Sequence, residues 1–432
     1  MQQIKLFKSS RFLPLFITQF FGAFNDNAFK NSLLIWLTYD VSTKVTLDPA
    51  IMLSVAAGLF ILPFFLFSSI AGQLADKYEK SKLVQRIKQI EIMLMIVCAI
   101  GYHNQNIYLL LIILFFMGVQ STFFGPLKYS LLPIHLKENE LVAGNGFIEG
   151  GTFLSILLGT IIGGLVIRSS YGIELISATL ILLSICGWLA SRYIPEAPVS
   201  DRDPKINWNI ILETYQMIGY AQKEYTVWLS IIGISWFWFI GSSFLTQFPT
   251  YTKVMLGGNE QIVILFLATF SIGIAIGSIT CSKLLRDKID GKLVPFGCLG
   301  ITLSIILFCI FSNLYHDHIK SNALINVTQF LSSSIYSSLI LASLLLLAVS
   351  SGIYIVPLYA IMQHRSNKKY LSRIIASNNI LNALFMVIGS IIMALLFSFS
   401  FNINQIFLVI GIANIVVYFT IRKIVKQRLQ NA

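Results

Sequence analysis

Apolar runs of about 20 residues recur from one end of the chain to the other, broken by short polar or charged connections. A helix rises about 1.5 Å per residue, so each run is long enough to cross a hydrocarbon core about 30 Å thick. Twelve membrane spans are predicted, at roughly 12–39, 51–75, 84–103, 107–132, 142–168, 172–194, 225–252, 261–285, 293–313, 335–360, 372–400 and 404–421. The polar stretch 314–334 predicts partial helix outside the membrane. The first run carries polar residues at its middle and has no small-residue cleavage site, so it is expected to be a retained span and not a removed signal.

Composition supports this pattern. Hydrophobic residues make up 56% of the 432 and charged residues only 12%, against about 25% charge in a soluble domain. Charge also tests the span count. Of the 31 Lys and Arg, 26 lie in or beside the termini and the connections that follow even-numbered spans, 4 lie with the other connections, and Lys30 sits within a span. Basic connections face the cytoplasm, so both termini are expected inside. The net charge of +12 then reflects topology and contact with anionic lipid, and implies no nucleic-acid partner.

The five cysteines, Cys98, Cys186, Cys281, Cys298 and Cys309, lie in or beside apolar spans without a close pair. They read as small core residues. His316, Asp317 and His318 fall in a predicted outer connection with no further ligand nearby, and no metal is assigned to them.

The longest connection divides the chain into a six-span bundle at 1–194, a cytoplasmic linker at 195–224 and a second six-span bundle at 225–432. The halves echo one another. "VAGNGFIE" opens span five and "IIASNNILN" opens span eleven, so Asn145 and Glu149 match Asn378 and Asn382. "FFGPLKYSLLP" and "IYIVPLYAIMQ" place Pro126 and Pro357 in equivalent positions. After span two, "GQLADKYEKSK" combines Gly72, Asp76 and a basic cluster that includes Lys77. Gly72 allows two helix ends to approach closely, and Asp76 can then meet a basic side chain (Arg373 is the candidate) or a helix N-terminus on the other half. These four residues are the gating candidates.

The chemistry concentrates in "TQFFGAFNDNAFKNSLL". An Asp or a Lys at the centre of a membrane helix costs about 2.5–3.5 kcal/mol. Asp26 and Lys30 are four residues apart, on one face, and are expected to offset part of that cost as a pair. A buried pair is often no more stable than apolar residues of the same volume, so stability alone does not explain its presence. A transport-site role is preferred, with Asp26 as an ion-coupling carboxylate and Lys30 facing an anionic group. Gln19, Asn25 and Asn27 add hydrogen-bonding capacity. Lys128, beside Pro126, is a further candidate that could equally snorkel. Glu149 lies two turns into span five with no base in local reach, and Glu91 is read as structural. The small-residue run "GGTFLSILLGTIIGG" permits close helix packing.

Together, "FITQFFGAFNDNAFK", "GQLADKYEKSK", "FFGPLKYSLLP", "ELVAGNGFIEGGTFLSILLGTIIGG" and "VPLYAIMQHRS" resemble the bacterial lysophospholipid transporters of the major facilitator superfamily, especially the transporter portion fused to acyltransferase and acyl-carrier-protein synthetase domains. The resemblance implies an all-α integral membrane fold of two pseudo-symmetric six-helix bundles. It also implies a monomeric inner-membrane flippase for lysophosphatidylethanolamine and lysophosphatidylglycerol, coupled to sodium or protons and needing no other cofactor. Its partners would be the lysolipid, membrane lipids and a separate acyltransferase. The family's polar pair in span one falls on Asn25 and Asp26, and its Pro-x-Lys-Tyr block on Pro126, Lys128 and Tyr129. Some relatives carry a basic residue in span seven. "SWFWFIGSSFLTQFP" offers Trp236 and Gln247 instead, which shifts head-group recognition to Lys30. No enzyme is expected: His135 precedes Glu140 rather than the Asp of an acyltransferase His-x4-Asp pair. An exporter of a small metabolite, siderophore or drug on the same fold is the alternative, and a non-transporting scaffold a more distant one.

The charge asymmetry makes a direct prediction. A cysteine placed at Ser200 in a cysteine-free chain should react with an impermeant thiol reagent only from the cytoplasmic side. Labelling in intact cells would overturn the orientation.

Overall fold

In a computed structural model, the structure describes residues 3–39, 49–199, 206–286, 288–318 and 324–424. The described elements are helical. The first six long helices are α1 (Leu13–Tyr39), α2 (Pro49–Lys77), α3 (Lys80–His103), α4 (Ile107–His135), α5 (Glu138–Ile167) and α6 (Gly172–Ser191). A short helix, α7 (Ile210–Gln222), lies in the linker. Then come α8 (Tyr225–Leu256), α9 (Glu260–Leu285), α10 (Val294–His318), the short α11 (Val327–Ser333), α12 (Ile335–Arg365), α13 (Leu371–Ser398) and α14 (Ile403–Ile421). The twelve long helices fall on the twelve predicted spans. Helix α11 lies in the stretch expected to be partly helical.

Ten of these helices are long and apolar enough to cross a membrane by length and composition alone. The remaining two long ones, α1 and α3, carry the polar residues that matter below. At 27 and 24 residues they span about 40 and 36 Å of helix. Membrane helices tolerate internal prolines where neighbours satisfy the released backbone groups, and Pro63, Pro126, Pro133, Pro249 and Pro357 all lie inside helices.

The chain gathers into two compact units. One comprises residues 1–144, 154–224 and 365–383, and the other 145–153, 225–364 and 384–432. Residues 145–153 of α5 thus belong to the second unit, and the first turns of α13 to the first. These are the segments whose sequences echo one another.

In the first unit, α1 and α3 both pack on α6, and α4 packs on α2 and α3. A core of Phe29, Trp36, Met95, Tyr102, Leu110 and Leu180 fills the space between them. Helix α5 closes on α1 through two glycines one turn apart. A Cβ at Gly159 would lie 2.7 Å from the Phe24 carbonyl oxygen, and one at Gly163 would lie 2.4 Å from that of Ala28. Backbone meets backbone here, which holds the polar turn of α1 in place.

The linker is fastened to the first unit at two points. Gln73 makes a double amide contact with the backbone of Asn207, donating to its oxygen at 3.0 Å and accepting from its nitrogen at 2.7 Å. Glu79 caps α3 by accepting from the backbone nitrogens of Ser81 and Lys82, and also accepts from Ala197 at 2.8 Å. Burial pushes the Glu79 carboxyl up, but the hydrogen bonds from Ser81, Ala197 and Lys82 outweigh it and hold the group below the usual carboxylate range. A depressed carboxyl stabilises the folded contact above its unfolded value of 4.5 and loses that contribution as the pH falls through its lower folded value. Exchange of the Ala197 amide, corrected for intrinsic rate, should therefore accelerate on acidification below that range. Glu79→Gln should speed it about tenfold at neutral pH, the loss of one charge-assisted hydrogen bond. Unchanged protection would detach Glu79 from the linker.

Candidate functional site

Two polar clusters stand out in the first unit and a third in the second. The first cluster grows from α1. Asn25 and Asp26 are neighbours in sequence, and successive helical residues project about 100° apart, so they address different helices. Asn25 is fully buried and donates to Glu91 Oε1 of α3 at 2.9 Å. Asp26 turns to α4, where Gln120 donates to its Oδ1 at 3.1 Å and the Ser121 hydroxyl to its Oδ2 at 2.7 Å. Lys30 lies over the Phe60 ring of α2, 5.1 Å from its centroid.

The expected Asp26–Lys30 ion pair is not among those of the described residues. Asp26 finds two donors on α4, and the Lys30 stem extends to α2 instead. The ion pair buried in this bundle is Lys88–Glu91 on α3, with Nζ–Oε2 at 2.6 Å and each side chain 1% exposed. Lys88 lies within the third predicted span and is a core residue. The signal was a Lys and a Glu three apart in an apolar run, a spacing that places both on one helical face.

The second cluster lies where α2 ends. The Asp76 Oδ1 accepts from the Ser372 backbone nitrogen at 3.2 Å, at the N-terminus of α13, and its Oδ2 lies 3.6 Å from Arg373 Nε. Both the basic partner and the helix end therefore meet this carboxylate. Gly72 makes the approach possible: a Cβ there would lie 2.9 Å from Ala376 Cβ, 3.0 Å from Arg373 Cα and 3.2 Å from Met217 Cε. Lys77 is half-buried, its ammonium 6.0 Å from the Tyr78 ring. Sequence reasoning missed the linker's contribution. Glu213 of α7 reaches Arg373 Nη1 at 3.9 Å, and Tyr220 stacks on Tyr370 with centroids 4.4 Å apart. Burial pushes the Glu213 carboxyl up, and Arg373 and Asn207 pull it back in part.

In the second unit, Asn145 and Gln363 exchange two hydrogen bonds at 2.7 and 3.0 Å. Glu149 is fully buried one turn further on. Phe153 stacks on Trp238 at 5.9 Å, and Trp236 donates to Asn414 Oδ1 at 2.7 Å. Gln363 and Asn414 were not singled out by sequence, because a lone amide in a span carries no spacing signal.

The other candidates do not gather into these clusters. Gln19 is buried, and Asn27 donates to the Ala23 carbonyl of its own helix at 2.8 Å. Gln247 is half-buried on α8, and Lys128 lies 4.4 Å from the Tyr129 ring. Asn378 is fully buried, with neither side-chain atom hydrogen-bonded among the described residues, and Asn382 lies one turn beyond it.

Long apolar helices, charges held in the interior and an acid latched on a helix end define a multi-pass membrane protein. The sequence profile of the Major Facilitator Superfamily matches residues 15–339, and the chain belongs to that superfamily. It is 25% identical over 354 residues to the lysophospholipid transporter LplT of Photorhabdus laumondii, covering 80% of this chain and 78% of that one. It is likewise 25% identical over 359 residues to LplT of Escherichia coli O157:H7, covering 82% and 80%. Among solved structures, the human organic anion transporter MFSD10 superposes with a TM-score of 0.74 at 11% identity, over 98% of this chain and 100% of that one. The Escherichia coli fucose:proton symporter FucP gives 0.70 at 12%, over 96% and 99%. These two show the fold. With bacterial relatives of this kind, the chain is a multi-pass protein of the bacterial inner membrane.

The latch is open to test. Gly72→Ala should cost the contact about 1–3 kcal/mol by overpacking against Arg373 and Ala376, and Asp76→Asn removes the charge at nearly constant shape. Both should speed exchange of the Ser372 amide. Unchanged exchange in Asp76→Asn would remove Asp76 from the latch.

Proposed function

We propose that this protein is a lysophospholipid transporter that moves lysolipids such as lysophosphatidylethanolamine and lysophosphatidylglycerol across the bacterial inner membrane by alternating access, coupled to a cation at Asp26. The observation that carries this reading is the separation of Asp26 from Lys30. Asp26 is held by the neutral donors Gln120 and Ser121 and forms no salt bridge among the described residues. Lys30 is half-buried against Phe60 and pairs with no acid among the described residues. A cation in that position suits a phosphate, as a charge-assisted partner on a flexible stem. Similarity to transporters named for lysophospholipids supports a lipid rather than a soluble substrate.

The latch at Asp76 and Arg373 fits alternating access. It joins the end of α2 to the first turn of α13, and such a contact must open and close as the two halves rock. Glu213 brings the linker helix into the same contact.

Uptake of labelled lysophosphatidylethanolamine into vesicles holding the purified protein, with and without a sodium gradient, tests the proposal. Asp26→Asn should abolish dependence on the gradient while retaining lipid binding. Lys30→Met should weaken binding of phosphate-bearing lysolipids by about 1.5–3 kcal/mol, the worth of a hydrogen bond to a charged group. The double variant should be at least as defective as the worse single one. Recovery of transport in the double variant would mean a purely structural pair and end this reading.

A further inference from the structure

We infer that the buried Lys88–Glu91 pair tunes the cation affinity of Asp26, acting as a fixed dipole behind the coupling site. This rests on the reading of Asp26 as a cation ligand and assigns the tuning to two residues that touch neither cation nor lipid.

Four observations carry it. Lys88 and Glu91 are almost wholly excluded from solvent, so their charges are not screened as surface charges are. Asn25 ties Glu91 to the residue next to Asp26, which fixes α3 against the turn of α1 that bears the carboxylate. Both members of the pair lie within electrostatic reach of Asp26, Glu91 repelling its negative charge and Lys88 attracting it. Lys30 is the other charge acting there.

The fourth observation is the space made for the lysine. A Cβ at Gly22 of α1 would lie 2.3 Å from Lys88 Nζ, and one at Gly187 of α6 would lie 3.9 Å from its Cδ. Two helices thus present glycine along the path of this side chain, and Phe124 of α4 faces the ammonium at 4.6 Å. Apolar residues of similar volume would often hold such a position equally well. Stability alone therefore does not account for a lysine threaded between helices to meet an acid.

The pair is neutral as a whole, so it adds no net charge beside Asp26. Removing either member changes the potential at Asp26 in a known direction. Without Lys88, Glu91 makes the site more negative and a cation binds more tightly. Without Glu91, Lys88 makes it more positive and a cation binds less tightly.

The test is thermal stabilisation of the purified full-length protein by sodium chloride, with choline chloride holding ionic strength constant. Lys88→Met should lower the sodium concentration for half-maximal stabilisation about tenfold, and Glu91→Gln should raise it by a similar factor, for one charge acting through the protein interior. The double variant, with no net change of charge, should fall between the two single variants. A merely structural pair would lower the melting temperature in all three variants and leave the sodium midpoint where it was, which would overturn the inference. If the single variants fail to fold, the reversed pair Lys88→Glu/Glu91→Lys is compared with the neutral double variant. Its inverted dipole must shift the midpoint, and equal midpoints overturn the inference. Absence of any sodium response in the wild-type protein would remove the cation reading and this inference together. A wild-type response shared unchanged by every variant would remove this inference alone.

Discussion

A charge placed among apolar helices must find a partner inside the protein, because neither lipid nor bulk water is there to solvate it. Much of the first unit's arrangement follows from that requirement. Lys88 is met by Glu91 and Phe124, Glu91 by Asn25, and Asp26 by Gln120 and Ser121. Each of these contacts joins different helices or fixes a side chain between them. Two adjacent residues of α1 thereby bind α3 on one side and α4 on the other.

Polar contacts of this kind hold only if the helices carrying them are closely spaced. Gly159 and Gly163 bring the α5 backbone against the carbonyls of Phe24 and Ala28, on either side of Asn25 and Asp26. Packing and polarity thus act on the same turn of α1. The small side chains remove freedom in how α1 can sit, and the hydrogen bonds select one orientation of it. The cation role proposed for Asp26 would draw on both, since a carboxylate that binds and releases a cation needs fixed neighbours.

The latch beyond α2 solves a different problem. Asp76 is buried, yet its partners are a backbone amide and a guanidinium at the start of α13, supplemented by Glu213 from the linker. The Asp76–Arg373 separation of 3.6 Å and the Arg373–Glu213 separation of 3.9 Å are ion-pair distances, longer than close hydrogen bonds. Such a contact can be made and broken at modest cost. Residues 145–153 of α5 and the opening turns of α13 each belong to the unit that holds mainly the other half of the chain. Superfamily transporters built from repeated halves move those halves against each other.

Sequence by itself determined the membrane class, the twelve spans nearly to their ends, and the meeting of Asp76 with a basic side chain and a helix N-terminus. Each of these is written in local terms: run length, charge on either side of a span, a polar residue where hydrocarbon belongs, a glycine before an acid. Partner choice for Asp26 was not legible. The spacing of Asp26 and Lys30 allowed a pair, but only the placement of α4 and α2 decided that the acid would take Gln120 and Ser121 while the base lay on Phe60. In the same way, nothing local marked Glu213 as part of the latch. Periodicity tells which face of a helix a side chain occupies. Which neighbour meets that face depends on how helices distant in sequence pack, and that is decided by contacts no short stretch of sequence contains.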